Sequence, residues 1–206
     1  MLLTLTGGAG AGKTTLAHAL VSSAVQGPAS VLHGDDYYFT APERGIWTCD
    51  EAGVPRLDVG DPGSVDIERL DADTDAALAI TPVVIVDGLF ARRVTPQQSC
   101  LRLDVFIDLA ADLRLARKIE RKCVRGGFPI EVLLRNYVEH RRAAHEHYIE
   151  PLRDECDVIV DGTLSPEILA EQIWSAAAAQ ALNHTLGGAQ ADHDSQGTGG
   201  RPRRRA

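Results

Sequence analysis

Three residue types that together handle a polyphosphate stand close to the start of this chain, in the spacing Gly7-x-x-x-x-Gly12-Lys13-Thr14. Glycines let a loop curl until successive backbone N–H groups point inward at phosphate oxygens. The N-terminal end of a following helix adds positive charge beneath the same oxygens. A lysine at this position reaches the β- and γ-phosphates, and the hydroxyl after it can hold Mg²⁺. The flanks have the required form: Leu2, Leu3 and Leu5 make a short apolar run, and Leu16, Ala17, Ala19 and Leu20 recur at helical intervals. Gly7, Gly8, Ala9, Gly10, Ala11, Gly12, Lys13, Thr14 and Thr15 are therefore the expected nucleotide cradle. Lys13 is expected to act in the reaction as well as in binding, Thr14 to hold the metal, and ATP and Mg²⁺ to be the cofactors.

Two further stretches carry acids where a phosphoryl transfer would use them. Gly34-Asp35-Asp36-Tyr37-Tyr38-Phe39 follows the short apolar segment Ser30–His33, and ligands of open α/β sheets sit just beyond the carboxyl ends of strands. A carboxylate there can orient or deprotonate a substrate hydroxyl, with the aromatics walling the pocket; Asp36 could instead cap a short helix. Pro82–Gly88 is a continuous β-branched run ending in Asp87, the pattern of a central parallel strand buried on both faces. Its terminal acid reads as the Walker B position, holding Mg²⁺ directly or through water, against the plainer reading of a strand-terminal turn residue.

Cations come later. Arg114, Arg117, Lys118, Arg121 and Arg125 follow one another at steps of three or four within Ala111–Arg125, ahead of Gly126-Gly127-Phe128-Pro129. Such a stripe is often a solvated helix face, but five cations ended by a Gly-Gly break also fit a lid over the transferring phosphate, with Arg117 and Arg121 as its acting members. Between the acids, residues 40–66 are rich in glycine and proline, and loops of that length in compact domains usually serve binding. Trp47, Arg56 and Asp58 are its candidate binding groups.

Five strands are expected to position these residues: one before the glycine loop, Ser30–His33, the run Pro82–Gly88, Leu103–Leu109 and Cys156–Val160. Helices are expected over Lys13–Ala24, Ser64–Ala79 (capped by Ser64 or Asp66), Ala111–Arg125, Ile130–Ile149 and Ser165–Leu182. From Asn183 to Ala206 the composition turns to Gly, Asp, Gln and Arg without an apolar period, which predicts a disordered tail. A single kinase-type domain over 1–182 with a lid at about 114–129 follows.

Composition narrows the class. The 206 residues are 44% hydrophobic and 24% charged, with a net charge of −8, an ordinary globular composition that argues against a nucleic-acid-binding surface. Cys49, Cys100, Cys123 and Cys156 form no CxxC pair and read as reduced thiols of a cytoplasmic protein. No apolar run reaches membrane-spanning length. Oligomeric state is left open, a homodimer included.

Taken in order, Gly7–Thr15, His33–Tyr38, Asp58, Val83–Gly88, Arg114–Arg125 and His145-Glu146-His147-Tyr148-Ile149-Glu150-Pro151 resemble the uridine kinase-like branch of P-loop kinases. That branch includes nicotinamide riboside kinases and, more distantly, phosphoribulokinase. The resemblance spans about residues 1–182; the last block is similar to the family's His-Glu-x-Phe-Ile-x-Pro. It implies a P-loop three-layer α/β/α fold with a five-stranded parallel sheet. It implies that Asp35 accepts or orients the proton of a primary hydroxyl, that Asp58 binds ribose-type hydroxyls, that Asp87 is the Walker B acid, and that the arginine helix is the lid. Asp35, Tyr37, Tyr38, Arg56 and Asp58 are thus the expected acceptor-binding set. One departure stands out: uridine kinases carry Tyr-Asp-x-x-x-His-x-Arg between the hydroxyl-binding acid and Walker B, whereas Ser64–Val83 contains neither Tyr nor His. The resemblance therefore does not carry over uridine or cytidine.

The expected activity is transfer of the γ-phosphate of ATP to a hydroxyl of a nucleoside or sugar-like small molecule. The alternative is a nucleotide-driven regulatory ATPase acting on a protein. A GTPase switch is disfavoured, because the chain has no Asn-Lys-x-Asp motif and no glycine three residues after Asp87.

Overall fold

The computed structural model describes residues 1–24, 27–49 and 54–195, with side chains as far as 184. Its elements in chain order are β1 (Leu2–Thr6), α1 (Lys13–Ser22), β2 (Ala29–His33), β3 (Trp47–Cys49), β4 (Pro55–Leu57), α2 (Ile67–Ile80), β5 (Val83–Asp87), β6 (Arg102–Asp108), α3 (Ala111–Ile119), α4 (Ile130–Asn136), α5 (Arg142–Ala144), β7 (Val158–Asp161) and α6 (Pro166–Ser195). Strands β2-β5-β1-β6-β7 form one sheet, all parallel. The five expected strands are these. The antiparallel hairpin β3–β4 lies inside the stretch expected to be loop.

Every residue of β1 and β5 is buried, as a strand covered on both faces requires. Alternate side chains feed two cores. Leu3, Leu5, Ile85 and Val105 pack with Leu16, Leu20 and Ile173 of α1 and α6. Leu2, Val84, Val86 and Phe106 pack with Leu70 and Leu78 of α2 and with Ile149 and Leu152. At ~2 kcal/mol per fully buried aliphatic side chain, these two layers fix where each strand ends. The result is the α/β/α sandwich expected.

Boundaries follow local chemistry. Asp66 caps α2 by accepting from the Arg69 N–H at 3.3 Å, one of the two caps expected. Asp71 on the same helix accepts from the Thr95 N–H, and Asp75 from the Gln97 and Gln98 N–H groups, so the acids of α2 hold the loop after β5. Ser165 accepts from the Ile168 N–H at 3.4 Å and Pro166 opens α6, where its missing N–H costs nothing. That helix passes Leu182, its expected end, and continues to Ser195; no proline interrupts the segment. The rest of the expected tail, 196–206, lies outside the described residues. No helix among the described residues is long and apolar enough to cross a membrane.

One polar cluster is buried with the second core. Asp104 on β6 accepts from Thr4 Oγ1 at 2.5 Å and from Arg102 Nε at 2.9 Å, and pairs with Arg92 Nε at 3.2 Å. Arg102 also donates to the carbonyls of Val94 and Arg92. Removing one partner of a buried ion pair costs far more than the pair contributes, and both arginines here are partly solvated. Asp104→Ala is therefore expected to destabilise by about 2–3 kcal/mol, lowering the melting temperature by about 5–10 °C. Thermal denaturation checks this; an unchanged midpoint would show that the carboxylate is dispensable.

Candidate active site

The polypeptide leaves β1 and enters α1 through Gly7–Gly12. Gly12 adopts the left-handed conformation at φ +105° and caps the helix. Gly10 also has positive φ, and a Cβ there would meet the Arg114 carbonyl oxygen at 2.6 Å. A Cβ on Gly8 would run into the Arg114 guanidinium. Glycine is therefore required at position 10, by the backbone at the start of α3 and by the loop's own turn, whereas at position 8 a Cβ would have to displace the Arg114 side chain. Inside the loop, Lys13 Nζ donates to the Gly7 and Gly8 carbonyls at 2.8 and 3.2 Å. Burial pushes its ammonium down to about 8, reinforced by Arg114 and Arg121 and opposed by the Asp35 and Asp87 carboxylates. Those two charges connect the lysine to both acids named from the sequence.

Asp87 ends β5, 3% exposed. Thr14 Oγ1 donates to its Oδ2 at 2.7 Å, and His33 Nδ1 lies 2.8 Å from its Oδ1. A hydroxyl and a carboxylate oxygen this close supply hard oxygen donors beside the loop, which fits Mg²⁺, an ion that keeps most of its water and takes few protein ligands. Among the described residues no group of three or more His, Cys, Asp and Glu is arranged to hold a metal, so the candidate position rests on Thr14 and Asp87 alone. None of the four cysteines is in a disulfide.

Beyond β2 the chain makes a 3₁₀ turn, Gly34–Tyr37. A Cβ on Gly34 would meet the Asp87 carbonyl oxygen at 2.9 Å and Gly88 Cα at 3.2 Å, so two glycines let the ends of β2 and β5 close together. This puts Asp35 and Asp36 on the wall of a cavity of about 1330 Å³ that also takes in Ala9–Leu16 and Asp87. Tyr38 lines it, its hydroxyl tied to the Val59 carbonyl at 2.9 Å; burial, with Asp35 and Asp58 nearby, pushes that phenol well up.

Tyr37 corrects the expected acceptor set. It is 6% exposed, belongs to the second core, and donates to Asp73 Oδ2 at 2.8 Å under the Arg69 guanidinium. Adjacent residues of the turn point opposite ways, and the apolar ring goes to α2. Asp58 is held by one of its two oxygens. Its Oδ1 accepts from the Gly60 N–H at 2.9 Å and from Arg141 Nη1 at 2.6 Å, and Arg141 is the side chain on the cavity wall. Arg56 and Leu57 of β4 reach the wall as well, whereas Trp47 donates its indole N–H to the Arg44 carbonyl in the segment before β3.

The cationic helix divides in two. Its first part is anchored: Arg114 Nε donates to the Leu109 carbonyl at 2.9 Å, and Arg117 donates to the Ala11 and Gly162 carbonyls at 3.3 and 3.0 Å. Arg117 thus lines the cavity with donors already engaged on backbone. Lys118, Arg121 and Lys122 also face the cavity; burial, together with Arg141, Arg121 and Lys122, lowers the Lys118 ammonium. Arg125 turns outward and pairs with Glu120 at 2.5 Å. A π-helical turn, Glu120–Val124, carries α3 to Gly126, and Gly127 at φ +69° reverses the chain.

After that turn, Phe128, Val132, Leu133, Asn136 and Arg141 complete the cavity, and with His33 they are what sequence reasoning missed. The strand-end position of His33 was a usable signal. The others depend on how α4 and the π-helical turn Tyr137–Arg141 lie against the hairpin. The His145–Pro151 block works mainly as a strap: Tyr148 donates to Asp61 Oδ2 at 3.1 Å, and His145 Nε2 pairs with Glu150 at 3.0 Å. Burial and Arg114 lower the His145 imidazole, against the pull of Glu150.

A glycine loop between β1 and α1, an acid ending the neighbouring strand, and a basic helix leaning over both define a phosphotransferase of the P-loop kinase fold. Solved structures agree on the fold: a sugar kinase from a Janibacter species aligns with TM-score 0.53 and 20% identity over 84% of this chain and 92% of its own. Shikimate kinase from Acinetobacter baumannii aligns with TM-score 0.53 and 17% identity over 86% and 93%. Residues 64–167 match the profile of the Phosphoribulokinase / Uridine kinase family, to which the chain belongs. Among its relatives, a uridine kinase of Staphylococcus epidermidis is 27% identical over 179 residues, covering 77% of this chain and 86% of that protein. A uridine kinase of Deinococcus deserti is 28% identical over 175 residues, covering 75% and 84%. The chain is accordingly a small-molecule kinase that phosphorylates an alcohol group.

Proposed function

We propose that this kinase uses ATP and Mg²⁺ and transfers the γ-phosphoryl group to a hydroxyl of a nucleoside or sugar-like alcohol. The observation that carries the reading is the meeting of Lys13, Asp35 and Asp87 at one cavity. A volume of about 1330 Å³ exceeds the roughly 300–1,000 Å³ of single small-molecule sites, which suits a donor and an acceptor side by side. In this reading Gly7–Thr15 cradle the triphosphate, Thr14 and Asp87 hold the metal, and Asp35 takes or orients the proton of the acceptor hydroxyl. When bound, Mg²⁺ would supply charge neutralisation to the phosphates, and the protein's own part is positioning and electrostatic stabilisation. Asp36, Tyr38, Arg56, Asn136 and Arg141 supply the polar wall of the acceptor space, with Leu57, Val59, Phe128 and Val132 as its apolar wall. Asp58 acts on the acceptor through Arg141.

The test is acceptor-dependent release of ADP from ATP·Mg²⁺ across nucleosides, nicotinamide riboside, pantothenate and sugar alcohols, with the phosphorylated product identified by mass. Hydrolysis stimulated by a protein and by no small alcohol would overturn the reading. Within the lid, Arg121 faces the cavity beside Lys118 and Lys122 and acts on the Lys13 ammonium through its charge. Arg121→Ala is expected to lower kcat by about 10²–10³, with an unchanged melting temperature. Arg117→Ala, which loosens Ala11 and Gly162, is expected to raise the KM for nucleotide and lower the melting temperature. Steady-state kinetics with thermal denaturation separates the two.

A further inference from the structure

The mechanism outlined above leaves His33 without a part. It is the last residue of β2 and stands in register with Asp87, the last residue of β5. Paired residues of parallel neighbours project to the same face of a sheet, so the imidazole is delivered alongside the carboxylate by backbone pairing alone. Its Nδ1 lies 2.8 Å from Asp87 Oδ1, while Thr14 donates to the other oxygen at 2.7 Å. An ionised carboxylate only accepts, so Nδ1 carries the proton and Nε2 is the free nitrogen. The ring lies on the cavity wall, 34% exposed, with the His18 ring 6.0 Å away.

We infer that His33 is a positioning residue for the Asp87 carboxylate: its Nδ1–H fixes Oδ1, so that Oδ2 stays directed at Thr14 and the metal site. The inference rests on the assignment of Thr14 and Asp87 to Mg²⁺. Asp87 is buried at the end of a strand, and a carboxylate there rotates about its last bond unless both oxygens have partners. Thr14 is itself a candidate ligand, whose hydroxyl oxygen would be shared between the metal and Asp87 Oδ2. His33 then remains as the anchor that does not compete for the ion. Groups that hold a metal-binding carboxylate or imidazole in this way typically govern metal affinity by about 10–100-fold.

The experiment compares wild type with His33→Asn and His33→Gln, both polar and of similar bulk, and with His33→Ala. The asparagine amide nitrogen falls where Nδ1 lies, whereas the glutamine amide reaches the position of Nε2. Binding of a fluorescent ATP analogue is titrated with Mg²⁺ and, separately, in the presence of a chelator. His33→Gln and His33→Ala are expected to raise the Mg²⁺ concentration for half-maximal binding by about 10-fold or more and to leave metal-free affinity unchanged. His33→Asn is expected to restore the wild-type Mg²⁺ requirement. Equal behaviour of Asn and Gln, or a parallel loss of metal-free and metal-dependent affinity, overturns the inference. If wild-type binding itself is indifferent to Mg²⁺, the metal assignment fails first, and that outcome is recognisable without any variant.

Discussion

Asp35→Asn is expected to lower kcat by about 10³-fold, within the range of roughly 10²–10⁴ for loss of a positioned acid–base group, while the dissociation constant for ATP stays within about twofold. The change removes an acceptor for the hydroxyl proton and keeps the side chain's volume. Asp35 reaches the cavity from the 3₁₀ turn after β2, outside the phosphate loop, and acts on that loop through its charge on Lys13. Nucleotide binding therefore has little to lose. A factor of 10³ corresponds to about 4 kcal/mol of transition-state stabilisation, more than the loss of one ordinary hydrogen bond in the acceptor's grip would produce. Single-turnover measurements with saturating ATP decide it: turnover near the wild-type rate would remove Asp35 from the chemistry.

The second large effect concerns Lys13 and has two signs. Its ammonium titrates near 8 in the folded protein against 10.5 for an unperturbed lysine. Phosphate charge stabilises the protonated form, so binding of ATP takes up a proton once the pH passes 8. Affinity is then expected to fall as pH rises through the range from 8 upward, by up to about tenfold per pH unit at the steepest. The nucleotide-free fold responds in the opposite direction. Between about 8 and 10.5 the unfolded chain binds more protons than the folded one, so the contribution of this group to stability increases with pH. Below 8 both states carry the charge and the cost of burying it is present in full. Lys13→Met is expected to abolish both slopes, to weaken ATP binding at pH 7 by more than about 100-fold, and to collapse turnover. Calorimetric titration in two buffers of different ionisation enthalpy, with denaturant melts at matching pH, measures both. A wild-type affinity that stays flat from pH 7 to 10 would show that Lys13 does not meet the phosphates as a cation.

The parts of this site that follow from contiguous sequence were legible without coordinates. The glycine loop, Thr14, Asp35 and Asp87 sit at strand ends, and strand ends can be read from apolar runs because a parallel strand buried on both faces has no alternation to obscure it. The five-stranded sheet was legible for the same reason. Tyr37 shows the limit. Neighbours in a tight turn diverge, and nothing in Asp36-Tyr37-Tyr38 states which ring turns to the core. Asp58 shows a different one: its carboxylate is claimed by Arg141, 83 positions away, on a helix whose placement no local pattern encodes. The cationic stripe was visible as a stripe. Which of its members are spent on backbone carbonyls and which face the cavity depends on how α3 docks, and Arg114, Arg117 and Arg121 differ in that respect despite similar spacing.

That docking gives the helix the mechanics of a lever with a tight fulcrum. The Arg114 backbone rests directly on Gly10, with no room for a Cβ between them, and its guanidinium lies against Gly8. From position 114 to 121 the helix extends about 10 Å at 1.5 Å per residue. Any small tilt of the phosphate loop is therefore amplified along the arm, and Arg121 travels farther than the loop that moved it. A methyl group at position 10 would act as a wedge under the fulcrum, displacing the arm's cations while leaving every one of them in the sequence.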